Sequence, residues 1–268
     1  VKAFSTKMQE AVLLIQQCKA AQPSQLDTPS SKFQALLRGS KLLRSEIDKL
    51  LVVFEALNKE TIDKAGDQSM RSCIADWTNA CCVRFPDLLP RCISMLQGFV
   101  RDPSPIVARS GVRALCIVFR PALILICESD IHSASATSDH TQLWQGLVES
   151  FASIREYAST ASPAGVRHAA IKFLERCALL LSHAEDSEAA GEEEDGEEWT
   201  LDSIPPCHPI LDYGRLKREG EECADLLLRL ASQADVKAEG GEGKVAPLSP
   251  PAQLLAVNSL GRLARQRP

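Results

Sequence analysis

The sequence predicts an all-α fold made of helical repeats, and three observations carry that reading. Apolar residues recur at i, i+4, i+7, i+8 and i+11, the spacing of one helix face. No comparable segment alternates with period two. Serine or aspartate, often followed by proline, stands where the periodic segments begin.

In chain order, Phe4, Met8, Ala11, Val12 and Ile15 form the first stripe. Met70, Ile74, Trp77 and Cys81 form a second, with Thr78 as its polar exception. Leu88, Cys92, Met95, Leu96 and Phe99 follow, then Val107, Gly111, Ala114, Leu115 and Val118, where Gly111 marks a close approach. Val166, Ala170, Phe173, Leu174 and Cys177 repeat the pattern, extended by Ala178 and Leu181. A helix from about Asp212 to Ser232 and a last one from about Pro250 to Arg265 complete the set.

Helix starts are expected at Ser104-Pro105, Ser162-Pro163 and Ser249-Pro250, each an N-cap hydroxyl before a proline at the first helical position. Thr28-Pro29 reads the same way, and Pro86 opens a helix after Phe85. Capping explains these Ser-Pro steps better than a role as kinase sites. Pro121, inside an apolar stretch, should end or kink its helix near Arg120.

Three helices share a start: Met70-Arg71, Val107-Ala-Arg109 and Val166-Arg167, preceded by Asp67, Asp102 and Ser162. An early arginine in the second helix of a pair, after a capping residue, is how HEAT-type repeats read. The spacings are uneven, 37 residues from Met70 to Val107 and 59 from Val107 to Val166. The expected architecture is therefore an irregular HEAT/armadillo-type helical-repeat solenoid, one domain over 1–268, with an extra segment around Ser129 to His140. Such repeats offer an extended surface for partners.

The chain has 268 residues and a formal net charge of −5. Nine of its 35 acids lie in Glu185 to Glu198, which holds no base, so that block reads as a disordered acidic loop. The remaining 26 acids face 30 basic residues, leaving the folded body slightly basic. Residues 234–247 read as a second flexible loop, and the proline-rich Thr200 to Pro209 between the two as a rigid brace. The apolar run Leu115 to Cys127 is broken by Arg120 and Pro121, short of the roughly 18 uncharged residues of a membrane span. Val1 suggests a fragment or a processed chain, and its first 21 residues are amphipathic rather than signal-like.

The ten cysteines fall mostly inside apolar stripes with no Cys-x-x-Cys pair. They read as reduced small hydrophobes, which points to the nucleus or cytosol. Five histidines (132, 140, 168, 183 and 208) show no metal-ligand spacing, with His132 and His140 expected in a loop and His168 on a polar helix face. Cys207-His208 has the composition of a nucleophile and base, but neighbours in an extended segment point apart. No phosphate loop or nucleophile elbow occurs, so no cofactor and no enzyme activity are expected. Between Arg84 and Arg120 lie six arginines, no lysine and two acids. Such a run ordinarily reads as a solvated helix face, and arginine without lysine tilts it toward a surface for carboxylate or phosphate groups.

The C-terminal third carries a resemblance. Thr200-Leu-Asp-Ser-Ile-Pro-Pro-Cys-His-Pro209, Glu219-Gly220 within Leu216 to Leu228, and Asn258-Ser-Leu-Gly-Arg-Leu-Ala-Arg-Gln-Arg-Pro268 resemble the symplekin family's N-terminal domain, yeast counterpart included. Val166-Arg-His-Ala-Ala-Ile-Lys-Phe-Leu-Glu175 and the Arg101-Asp102 turn are similar to its middle helices. The likeness covers Asp67 to Pro268, and reaches Val1 to Lys64 by helical pattern only. It implies a non-catalytic nuclear scaffold for pre-mRNA 3′-end cleavage and polyadenylation. It also implies two partners, the RNA polymerase II C-terminal-domain phosphatase and the cleavage and polyadenylation factor subunits, and neither membrane nor direct nucleic-acid binding. If the arginine-rich helices match the family's phosphatase-docking helices, Arg109, Arg113 and Arg120 are the candidate partner-binding residues. The acidic block before Trp199 is longer than the family pattern there. Another armadillo-type adaptor, such as a transport receptor, is the alternative, and a Cys/His-dependent hydrolase a more distant one.

Overall fold

The computed structural model describes residues 5–39, 42–62, 67–128, 134–160, 162–183, 199–205, 207–232 and 248–266. The acidic block 185–198, the 234–247 segment and His132 lie outside them. Ten α-helices and three short 3-10 turns, with no strand, make up the regular structure of the described residues. The chain forms two compact units, 1–121 and 122–268.

The first unit begins with α1 (Thr6–Ala20), capped by Ser5, whose Oγ accepts from the Met8 amide at 3.1 Å. Helices α2 (Asp27–Arg38), α3 (Arg44–Ile62) and α4 (Gln68–Arg84) meet around Phe33, Phe54 and Trp77, all fully buried. Phe33 stands edge-on to Trp77 at 4.8 Å, and the indole Nε1 donates to Ser30 Oγ at 3.1 Å. Both arrangements suit buried aromatics that carry a polar handle. A 3-10 turn at Pro86–Leu88 leads into α5 (Leu89–Val100).

Arg71, at the start of α4, is buried. It donates to Thr61 O at 2.8 Å and to both Asp102 oxygens at 2.9 and 3.2 Å. Asp102 also accepts from the Ser104 amide at 2.8 Å. One guanidinium thus holds the end of α3, the start of α4 and the turn before α6 (Pro105–Glu128). Arg167, at the start of α8 in the second unit, does similar work, donating to Ala158 O of the preceding helix at 2.9 Å. Arg109 does not: it is exposed, so it is no third member of that set. Spacing from the first core residue separates the cases: Arg71 and Arg167 follow it by one position, whereas Arg109 follows it by two and so turns outward.

Helix α6 packs on α5 through Gly111, where a Cβ would lie 2.6 Å from backbone atoms of Phe99 and Val100. The expected close approach is there. Pro121 does not end the helix, which continues to Glu128, with Ala122, Leu123 and Ile126 buried beyond it. Burying those side chains outweighs the backbone hydrogen bond that proline removes. The boundary between the units falls at this proline. By length and composition α6 also reaches membrane-span hydropathy, with a mean of 1.8 over an 18-residue window, and 56% of that window is buried in the protein.

The second unit holds α7 (Ala134–Ser159), α8 (Ala164–Leu180), α9 (Tyr213–Ser232) and α10 (Pro250–Gln266). Helix α8 is buried almost all round, because α7, α9 and α10 each pack against it. Gly220 lets α9 touch the end of α8, where a Cβ would meet Leu181 O at 2.7 Å. The extra segment expected at 129–140 is helical from Ala134, which places His140 on a helix and buries it. Two predicted caps shift. Pro163 rather than Ser162 is the N-cap residue of α8, and α2 opens at Asp27, placing Pro29 inside its first turn, where no amide donor is needed.

All ten cysteines are free: six buried, three half-buried, and Cys207 exposed. Burial pushes the Cys18 thiol up to about 12 and those of Cys73 and Cys127 up to about 11. They are packing residues rather than nucleophiles.

The two glycine environments give opposite expectations. Gly111→Ala should destabilise by about 1–3 kcal/mol through overpacking against backbone. Gly98→Ala, exposed on α5 with nothing within 4 Å of the new methyl, should stabilise by about 0.5–1 kcal/mol. Urea titrations of the two variants read both signs.

Candidate functional site

The six arginines between 84 and 120 separate by role. Arg84 is structural: it donates to Leu37 O at 3.2 Å and Leu42 O at 2.5 Å and lies over the Phe85 ring at 4.9 Å. Arg91 pairs with Glu55 at 2.9 Å. Arg101 is exposed at the C-cap of α5. The three candidate residues share α6: Arg109 and Arg113 are exposed, and Arg120 is half-buried with its Nε lacking a hydrogen-bond partner.

Their spacing places them in one stripe with two exposed isoleucines: Ile106, Arg109, Arg113, Ile117 and Arg120, at steps of three and four. Such steps keep residues on one helix face. Beside this stripe α4 contributes Asp76, half-buried, and α2 contributes exposed Arg38. Burial raises the Asp76 carboxyl above the ordinary aspartate range, opposed by Arg113, by a hydrogen bond from Gln34, and by Arg38 and Arg109. Three guanidinium groups therefore act on one carboxylate, which leaves the positive charge in surplus. Arg38 and Asp76 were not legible as site residues in the sequence, since they stand 75 and 37 positions before Arg113 and only packing joins them.

The alternative chemistry does not assemble. Cys207 is exposed whereas His208 is buried, its Nε2 3.2 Å from Ile126 O. His208 Nδ1 accepts the amides of Ile210 at 3.2 Å and Leu211 at 2.9 Å, so the ring carries its proton on Nε2 and donates to Ile126 O. His208 is a brace, as the proline-rich segment suggests, and the chain turns there rather than running extended, the His208 amide donating to Pro205 O at 3.1 Å. Among the described residues no cluster of His, Cys, Asp or Glu could hold a metal. His168 is half-buried on the least buried face of α8, in step with exposed Lys172 and half-buried Arg176, and its Nε2 has no hydrogen-bond partner. His183 contacts Asp202 at 2.8 Å in an exposed setting.

The segments with the sequence resemblance form joints of the second unit. Glu175 of α8 is buried. It accepts from Ser259 Oγ at 2.5 Å, Lys172 Nζ at 2.7 Å and Arg262 Nη1 at 2.9 Å, which together hold its carboxyl below the usual range despite burial. Ser259 and Arg262 belong to the Asn258–Pro268 string and Glu175 closes the Val166 string, so two distant motifs are halves of one contact. Arg155 of α7 pairs with Glu219 and with Glu222, the latter at 2.6 Å. Thr200 and Ser203 form a reciprocal cap, and the Leu201 amide donates to Ser182 O at 3.2 Å. Residues 104–268 match the Symplekin/PTA1 N-terminal family model, more than half of the chain.

Two measurements follow from these contacts. Ser259→Ala removes a donor from a buried carboxylate and should cost about 1–3 kcal/mol in urea unfolding. His140 is buried, its Nδ1 has no partner, and burial with nearby His208 lowers its pKa against the opposing pull of Asp139. A depressed histidine pKa means that the unfolded chain takes up the proton first. Its contribution is thus fully present above about pH 6.5 and lost as pH falls toward the folded value. His140→Gln should flatten the pH dependence of the unfolding midpoint between pH 7 and 5; an unchanged slope would assign that dependence elsewhere.

Proposed function

Since the chain belongs to the symplekin/PTA1 N-terminal family, a scaffold family of mRNA 3′-end processing, we propose that it is the HEAT-type docking module of a longer nuclear protein. In this reading residues 1–268 are one module. It gathers factors that cleave and polyadenylate pre-mRNA and docks the RNA polymerase II C-terminal-domain phosphatase. The observation that carries the proposal is the family match over 104–268, together with the placement of its motif residues at helix joints rather than around a reactive centre. Arg109, Arg113 and Arg120 are the proposed partner contacts, supported by their shared face and by the positive surplus around Asp76.

A transport-type adaptor would share the fold class but has no need of the C-terminal motifs. The hydrolase reading is disfavoured by the opposed exposures of Cys207 and His208.

The recombinant chain should retain the phosphatase in a pull-down at micromolar protein, and Arg113→Glu with Arg120→Glu should weaken retention at least tenfold. Loss of retention with the intact chain would sink the docking proposal. Unchanged retention by the double variant would move the contact to another face.

A further inference from the structure

Helices α2, α4 and α6 form one parallel layer of the first unit. Successive cross-contacts show the direction. Gln68 meets Ser104 at 2.9 Å, Ser72 meets Ser110 at 2.8 Å, and Asp76 lies beside Arg113. Ser30 meets Trp77, and Leu37 O meets Arg84, in the same sense along α2 and α4. On this layer α6 displays its stripe of two isoleucines, 53% and 45% exposed, interleaved with three arginines over about 21 Å at 1.5 Å per residue.

We propose that this face binds an acidic peptide segment carrying aliphatic side chains, supplied by a partner protein. Its carboxylates pair with Arg109, Arg113 and Arg38, and its aliphatic groups lie on Ile106 and Ile117. This rests on reading the arginine stripe as the partner-binding surface, and adds the chemistry of what it binds.

Charge and shape together favour this occupant. Three guanidinium groups acting on a single carboxylate exceed its charge, and their planar forks suit further carboxylates in pairs. Apolar residues at either end of the arginine pair give a peptide something to bury, which an inorganic anion could not use. A nucleic acid fits less well. The stripe carries no aromatic residue on which bases could stack, and Asp76 sits where a continuous phosphate backbone would meet like charge. Asp76 acts as an internal competitor, its negative charge weakening the pull of the arginines on an incoming acid.

The test uses the chain 1–268 and three fluorescein-labelled probes in anisotropy titrations: a 16-residue Glu/Leu peptide at helical spacing, its Lys/Leu counterpart, and a 16-nucleotide single-stranded RNA. The Glu/Leu peptide should bind, the Lys/Leu peptide should not, and raising salt from 50 to 300 mM should weaken the complex. Arg109→Gln with Arg113→Gln should weaken binding about tenfold, Ile117→Ser several-fold, and Asp76→Asn should tighten it several-fold. All four positions are exposed or half-buried, and unchanged circular dichroism and melting temperature would establish that the variants fold. Binding indifferent to the arginine pair, or tighter binding of RNA at these same residues, overturns the inference. The phosphatase pull-down separates the two readings. Glu/Leu binding lost in the arginine variant, with phosphatase retention unaffected, moves the phosphatase contact to another face and leaves this inference standing. Phosphatase retention that needs the arginines, with no Glu/Leu binding, removes this one alone.

Discussion

Much of the first unit depends on one buried ion pair. Arg71 and Asp102 are both about nine-tenths buried at the side chain, so each would leave an uncompensated charge without the other. Breaking such a pair from one side costs about 3–5 kcal/mol. The geometry explains why the charges are tolerated there. Arg71 also satisfies Thr61 O, and Asp102 also satisfies the Ser104 amide, so few polar groups at this three-way junction lack a partner. Helix α4 is thereby held at its N-terminus while Trp77 anchors its middle and Arg84 its end. With α4 held at three points, the α6 side chains next to it have a fixed register, and the arginine stripe inherits its spacing from that.

The second unit solves a related problem with different residues. A helix buried nearly all round, as α8 is, would ordinarily be apolar throughout, yet it carries Arg167 and Glu175 in its buried set. Each is tied to a neighbouring helix, Arg167 to α7 and Glu175 to α10. Polar side chains in a core fix relative position more strictly than apolar ones, because a slip leaves them unpaired. The family-specific strings are explained by this: they are the matching halves of joints, brought together by packing across 84 positions of sequence.

Periodicity made the fold legible. The stripes at Leu88–Phe99, Val107–Val118 and Val166–Cys177 are buried nearly throughout, with Met95 half-buried. Local reading failed where a tertiary contact decides. A Ser/Thr/Asp-rich composition suggested a loop at His140, and a helix forms because Leu143, Leu147 and Phe151 bury one face further along. Pro121 reads as a helix breaker in isolation and is overridden by the buried residues after it. Arg71 and Arg109 belong to one sequence signal, yet a single position of offset from the first core residue separates a buried arginine from an exposed one. Of the site, the α6 arginines were visible because they lie on one helix. Arg38 and Asp76 were not, because only the packing of α2 and α4 brings them beside α6.

The stripe on α6 has a second physical effect. A helix of 24 residues with this hydropathy is close in composition to a bilayer span. Each arginine at the centre of such a span adds about 2.5–3.5 kcal/mol to its insertion. Arg113 stands near the middle of α6, flanked by Arg109 and Arg120, so the side chains proposed to meet a partner also penalise transfer of the nascent helix into lipid. Replacing them with apolar residues would alter more than a docking face, because it would remove the feature that most distinguishes this core helix from a membrane anchor.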